Sequence, residues 1–317
     1  MKIAIIGSDN YDSIEYNLDE AFNHIRHEAQ IFDILRDHTY LGAFDVDAFD
    51  RLAQKVEIFC PDLVIGVYRF IHPSFVIRMK NNKFKIIQIN PDPLTTFQQQ
   101  QLFVMEYDLY FTKDPFIKRF MESNLKLNVR LYSEAFNKRI HVKPGVDKLE
   151  YEKDYDMDVV TYGSMYPYRN RMLRILTEHS VNLKIFGEKS RPFYDNELDN
   201  FYTNYFITGK TKAKILYGAR IVINFMNYAE IESVNNRFFE TNGSGAFQLS
   251  DFRPILKDLL PVDPELVSFR SIDEAIEKIW YYLKHPEERV AIAEKIYNHF
   301  LDNYTYDHLI QYVLDSL

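Results

Sequence analysis

The chain has 317 residues with 46 Asp and Glu against 38 Lys and Arg, a formal net charge of −8, and a single cysteine, Cys60. At roughly 100–200 residues per domain this length makes two domains or one large one, able to bury a core without covalent staples. The acidic balance and the lack of a long Lys/Arg run argue against general nucleic-acid binding, which rests on phosphate neutralisation. One cysteine excludes an internal disulfide framework.

Lys2–Gly7 reads as a buried strand, too short and too plainly bounded for a signal peptide. Leu18, Phe22 and Ile25 then recur at helical spacing. A brief strand over 29–32 is followed by a helix over Val46–Phe59, and Pro61-Asp62 lead into a strand over 63–67. Further strands are predicted over Lys85–Asn90 and 108–112, with a helix over 115–122. Residues 143–158 are polar and charged with no apolar period, and read as an interdomain hinge. The rhythm restarts at Val159–Tyr162, which runs into Gly163-Ser164 and a helix over 169–178. Strands follow over Leu183–Phe186, Ile221–Asn224, 246–249 and 267–269. From 272 to 317 the chain reads as helical, with Ile272, Ala275, Ile276, Ile279, Trp280 and Leu283 on one face and Pro286 opening a second helix. Strands alternating with helices predict an α/β protein with parallel sheets covered on both faces. Two Rossmann-like domains are expected, over 1–150 and 151–300. No window reaches about 18 uninterrupted apolar residues, so no membrane span is expected, and the expected location is cytoplasmic.

Several patterns resemble chemistry without carrying it. His24-Ile25-Arg26-His27 has a metal-like spacing, but no Cys or Asp motif of zinc spacing accompanies it. Asp45-Val46-Asp47 and Asp156-Met157-Asp158 have the Asp-x-Asp form, which an acidic chain yields by chance; the first falls where a helix cap is expected. No metal site is therefore expected. G-x-S-x-G, the phosphate-loop G-x-x-x-x-G-K and G-x-G-x-x-G are all absent, which removes support for hydrolase, NTPase and ordinary dinucleotide readings. The 23 Tyr and 25 Phe are assigned to core packing.

Residues 231–254 are more informative. Ser233 to Asn235 can cap a short helix bearing Arg237-Phe238-Phe239-Glu240, which Gly243 or Gly245 ends before the next strand. A helix start offers unpaired N–H groups and the positive end of its dipole, which suits a diphosphate. Asn236 and Glu240 are four apart and share a face. That spacing places Asn236 by the phosphates and Glu240 one turn deeper, where a carboxylate accepts from both ribose hydroxyls. Glu232 and Glu240 enclose seven residues, an E-x7-E spacing.

At these residues the chain resembles the glycosyltransferase group 1 superfamily, in its branch of spore maturation proteins. Gly163-Ser164-Met165-Tyr166-Pro167-Tyr168-Arg169 resembles the family's G-S…R loop, and Leu183-Lys184-Ile185-Phe186-Gly187 its next strand and turn. Lys214-Ile215-Leu216-Tyr217 through Ile221-Val222-Ile223-Asn224 resembles the following segment. Asn236-Arg237-Phe238-Phe239-Glu240 resembles the N-x-R-x-F-E signature, followed by Gly245 and Leu249-Ser250-Asp251. Phe269-x-Ser271, 282–289 and Tyr304-Thr305-Tyr306 resemble the C-terminal signature. The likeness runs over about 155–310, and the first half matches only loosely, at Asn90-Pro91-Asp92-Pro93, 107–112 and 143–147.

The resemblance implies the two-domain GT-B fold, with a nucleotide-sugar in the second domain, an acceptor in the first, and a C-terminal helix, 301–317, returning to the first domain. It implies a UDP-sugar donor and a glycan, lipid-linked or protein acceptor in cell-surface glycan synthesis; no nucleic-acid partner is expected from the acidic charge balance, and peripheral membrane contact is left open. It implies no metal and no other cofactor, with a basic side chain neutralising the leaving diphosphate: Arg169, or else Lys210 or Lys212. The donor site is expected at Gly163, Ser164, Arg169, Phe186, Gly187, Lys210, Tyr217, Asn235, Asn236 and Glu240. Glu232 would contact the donor sugar if the E-x7-E pairing holds, which favours retention of configuration. An inverting enzyme would need a base, for which Asp9, His72 and Asp92 stand at strand ends. A non-catalytic sugar-binding or coat-assembly protein and a nucleotide-sugar epimerase remain the alternatives.

Overall fold

A computed structural model describes residues 1–34, 46–67, 71–91, 107–187 and 195–317. It divides into two compact units, one of Met1–Glu134 with Ala229–Ser233 and Tyr306–Leu317, the other of Ala135–Tyr228 with Val234–Thr305. Both are α/β, as the alternation of elements requires.

In the first unit, strands β1 (Lys2–Gly7), β2 (Glu28–Asp33), β3 (Leu63–Gly66), β4 (Lys85–Asn90), β5 (Leu109–Thr112) and β6 (Val129–Leu131) form a parallel sheet in the order β2-β1-β3-β4-β5-β6. Helices α1 (Ile14–His24), α2 (Val46–Phe59), α3 (Pro73–Asn81) and α4 (Pro115–Leu125) alternate with these strands. Ala4, Ile6, Phe49, Val64, Phe75, Ile86 and Tyr110 share one buried cluster. Strands β1 and β3 read as near-continuous apolar runs rather than alternating ones, as a parallel sheet covered by helices requires, while β4 carries the buried Gln88 between Ile87 and Ile89.

The second unit opens with α5 (Lys148–Tyr155), then β7 (Val159–Tyr162), α6 (Pro167–Thr177), β8 (Leu183–Phe186), α7 (Gly209–Gly218), β9 (Ile221–Asn224), α8 (Asn236–Gly243) and β10 (Gln248–Asp251). The single turn α9 (Leu256–Leu259), β11 (Ser268–Phe269), α10 (Ile272–Lys284) and α11 (Pro286–Asn303) complete it. Its parallel sheet has the order β11-β10-β9-β7-β8. The last helix, α12 (Tyr306–Asp315), packs on α1 in the first unit. It buries Tyr306, Leu309, Ile310 and Val313, and its Tyr312 hydroxyl donates to the Leu131 carbonyl at 2.9 Å.

Three features differ from the sequence reading. The units part at Glu134/Ala135 rather than near 150, and the polar stretch taken as a hinge contains α5, inside the second unit. That helix has no apolar stripe because its buried side chains are Lys148 and Glu152. The Lys148 ammonium donates to the carbonyls of Tyr217 (2.6 Å) and Ala219 (3.0 Å) and pairs with Glu152 at 2.8 Å, while Arg289 grips Glu152 with two 2.7 Å bonds. Third, Ala229–Ser233 folds with the first unit although its chain neighbours do not. There Lys113 pairs with Glu230 at 2.9 Å, and one Asp114 oxygen accepts from the N–H groups of Glu232 (2.9 Å) and Ser233 (3.2 Å).

Candidate functional site

In the second unit the strand order reverses between β7 and β9, and open α/β sheets bind ligands beyond the carboxyl ends of strands at such a point. Gly163 follows β7 with φ +86°, a conformation that glycine adopts at no steric cost. Its N–H donates to the Phe186 carbonyl at 3.0 Å, and a Cβ on Gly187 would lie 3.0 Å from the Gly163 carbonyl oxygen. The two turns after β7 and β8 therefore lie back to back, with Phe186 buried beneath them.

Two arginines meet beyond these strand ends. Arg169, buried in the first turn of α6, donates through Nε to the Phe225 carbonyl at 2.6 Å and through a terminal nitrogen to the exposed Ser164's carbonyl at 2.5 Å, with Tyr166 5.3 Å away against its guanidinium. Arg237, in the first turn of α8, donates to the Tyr162 carbonyl at 2.5 Å and to the same Phe225 carbonyl at 3.1 Å. Burial lowers the Arg237 pKa while Tyr162 and Glu240 oppose the shift, and a guanidinium so placed stays cationic. Two like charges on one carbonyl repel, and an incoming anion relieves that repulsion with charge-assisted bonds. Arg237 belongs to the N-x-R-x-F-E motif without a role assigned from the sequence, where its place in the first turn of a helix is the available signal.

Glu240 lies one turn further along α8 and is buried. Its Oε1 pairs with Lys212 at 2.8 Å and accepts from the Asn236 amide at 3.0 Å; its Oε2 accepts from the Tyr162 hydroxyl at 3.3 Å. Burial, then the Glu240 charge, pushes the Tyr162 pKa well above its ordinary value, so that hydroxyl remains a neutral donor. His141 is fully buried with Nε2 4.0 Å from Glu240 Oε1. Its Nδ1 accepts the Asn137 N–H at 3.2 Å, which assigns the ring proton to Nε2, toward the carboxylate.

Asn236 lies at the start of α8. Its NH₂ is committed to Glu240, and its Oδ1 is buried without a partner. An acceptor oxygen suits a hydroxyl, not a phosphate. Asn235 is structural: its side chain accepts the Phe238 N–H at 3.2 Å and exchanges bonds of 2.9 and 3.0 Å with Asn224. Of the two lysines, Lys210 is exposed on α7 while Lys212 is buried on Glu240. Tyr217 belongs to the packing of α7 on α5, its hydroxyl donating to the Val146 carbonyl at 2.8 Å and its ring lying against Tyr151.

Of the E-x7-E glutamates, Glu240 belongs to the second unit. Glu232 belongs to the first unit, its carboxylate bound by both terminal nitrogens of Arg119 at 2.7 and 3.0 Å. Asp9 is half-buried after β1. His72 caps α3, Nδ1 accepting from the Ser74 N–H at 3.2 Å. Asp92 and Asp45 lie outside the described residues. Asp158 of the second Asp-x-Asp pairs with Arg220.

Comparison with known proteins bears on this geometry. A family model described as "Glycosyl transferase-like" matches residues 169–315. The "Spore protein CgeB" of Bacillus subtilis (strain 168) is 25% identical over 199 residues, which cover 57% of this chain and 59% of that protein. Sucrose-phosphate synthase from Thermosynechococcus elongatus superposes with a TM-score of 0.72 at 10% identity, covering both chains completely. Anabaena HepE, solved in complex with UDP, superposes with a TM-score of 0.72 at 12% identity, again over both full chains. The same protein in complex with UDP-glucose gives a TM-score of 0.71. The resemblance read from the sequence and the GT-B fold are thereby borne out. Among the described residues no helix is long and apolar enough to cross a membrane.

Proposed function

We propose that this glycosyl transferase-like chain of GT-B fold moves a sugar from a UDP-sugar to a hydroxyl of a glycan, lipid-linked or protein acceptor. The observation that carries the reading is the convergence of Arg169 and Arg237 on the Phe225 carbonyl, one turn from the buried Glu240. Two fixed guanidiniums beside a helix N-terminus can hold a diphosphate and stabilise the charge that develops on it as the glycosidic bond breaks. Those cations fill the role a divalent metal plays in other transferases, so turnover is proposed to be metal-independent. Glu240 Oε2 and Asn236 Oδ1 supply acceptors for hydroxyls of the ribose. The UDP and UDP-glucose complexes of HepE, a structural neighbour, support uridine as the nucleoside.

Isothermal titration with UDP, GDP, CDP and dTDP, each with and without EDTA, tests this. UDP is expected to bind most tightly and to be indifferent to EDTA. Arg237→Met removes charge-assisted bonds worth about 1.5–3 kcal/mol, so UDP affinity should fall roughly 10- to 150-fold. Absence of nucleotide binding, or binding and turnover that EDTA abolishes and Mg²⁺ or Mn²⁺ restores, would overturn the proposal.

A further inference from the structure

We infer that Asp251 is a positioning residue for the donor diphosphate, acting through the single peptide that joins Phe225 to Met226. The inference rests on the proposed donor site, since it concerns how the two arginines there are held.

The C=O of Phe225 and the N–H of Met226 belong to one peptide plane and point in opposite directions across it. The C=O receives Arg169 at 2.6 Å and Arg237 at 3.1 Å. The N–H donates to Asp251 Oδ2 at 2.6 Å. A carboxylate on one side and two guanidiniums on the other polarise this peptide in the same sense, so each bond strengthens the others. Asp251 is buried at the end of β10, and its Oδ1 accepts from the Tyr168 hydroxyl at 3.2 Å. It therefore also grips the first turn of α6, next to Arg169. Rotating the 225–226 peptide would release both guanidiniums together, and Asp251 opposes that rotation without touching the nucleotide.

The carboxylate's charge matters as well as its shape. Burial raises the Asp251 pKa, opposed by its bond from the Met226 N–H, by Arg253 and Arg169, and by Tyr168. The titratable groups facing it are Tyr168 and Arg169 of α6, Arg237 of α8 and Arg253 just after β10. Tyr168 is itself pushed up to about 12, chiefly by burial, and stays a donor across the range tested.

The test measures UDP affinity of wild type, Asp251→Asn and Asp251→Ala from pH 5 to 8, with thermal melts alongside. Asparagine keeps an acceptor for the Met226 N–H but lacks the charge. At pH 8 its affinity should be about 3- to 10-fold below wild type. The ratio of the two should approach one as Asp251 protonates in acid, and UDP's own titration cancels in that ratio. Alanine should lose at least about 10-fold at pH 8; should it melt early, the asparagine ratio still decides. UDP affinity in Asp251→Asn equal to that of wild type at pH 8 would show a merely structural residue and overturn the inference. Arg237→Met, measured in parallel, separates the two ideas: if it too leaves UDP binding unchanged, the donor site itself is wrong.

Discussion

Removing the Glu240 carboxylate should do two separable kinds of damage. The sequence alone suggests that Glu240→Ala would weaken nucleotide binding and leave the fold intact. The structure argues otherwise, because the side chains of Lys212 and Glu240 are each only 6% exposed and lie 2.8 Å apart. Alanine removes one partner of this buried ion pair, a change that costs about 3–5 kcal/mol. Loss of the proposed contact to ribose adds about 1–3 kcal/mol to the binding deficit, or roughly 5- to 150-fold in affinity. Replacing both partners distinguishes the effects. In Lys212→Met/Glu240→Gln no buried charge is stranded, and exchanging an intact buried pair for neutral groups is often neutral or stabilising. The double variant should thus recover most of the stability lost by Glu240→Ala, while UDP affinity stays low. Chemical denaturation gives the first quantity and titration calorimetry the second. If the double variant regains wild-type affinity together with stability, Glu240 acts only through the fold. If Glu240→Ala alone retains full stability, the ion pair is not formed as described.

Two further outcomes follow from packing and charge outside the site. Desolvation lowers the Lys148 pKa to about 8, outweighing the pull of Glu152. Between about pH 8 and 10.5 the unfolded chain then holds a proton the folded one has released, so this lysine makes stability rise with pH, by at most about 1.4 kcal/mol per unit. Tyrosines such as Tyr282, raised to about 12 by burial, reverse the trend above about pH 10, and denaturation curves from pH 8 to 10 should lose the rise in Lys148→Met. In α12, Ile310 is fully buried against the first unit, and Ile310→Ala should destabilise that unit by about 2–5 kcal/mol while sparing UDP binding. Loss of UDP affinity in that variant, measured where it is still folded, would contradict a donor site contained in the second unit.

How far the sequence could be read depended on which residues carry each feature. Apolar strands with helices between them announced both sheets, because burial on two faces leaves an unmistakable Ile/Val/Leu run. The same logic missed α5, whose inner face is Lys148 and Glu152. A helix buried through compensated charge has no hydrophobic period to detect. Its partner Arg289 lies 137 residues away, beyond any local signal. Residues 236–240 were readable as a helix start bearing a polar face, and Glu240 falls where that pattern put it, one turn inside α8. What the pattern could not supply was which atoms remain free. Asn236 gives an amide N–H to Glu240, and its Oδ1 is left as an acceptor.

Long-range contacts decide which unit Glu232 joins. Seven residues between Glu232 and Glu240 look like a shared site. Yet Asp114 and Arg119, each more than a hundred positions earlier, draw Glu232 into the first unit through backbone N–H bonds and a two-pronged ion pair. A similar ambiguity surrounded the basic residues. Lys210 and Lys212 differ by two positions, so on a helix they point to nearly opposite sides, and only the phase of α7 tells which one is inside. That phase has no capping signature, since the Thr208 side chain makes no cap bond. It follows instead from the buried face of Ala213, Leu216 and Tyr217, on which Lys212 lies. Lys212 is thereby the ammonium that meets Glu240, and Arg169 and Arg237, aligned on one carbonyl, are the cations proposed for a diphosphate.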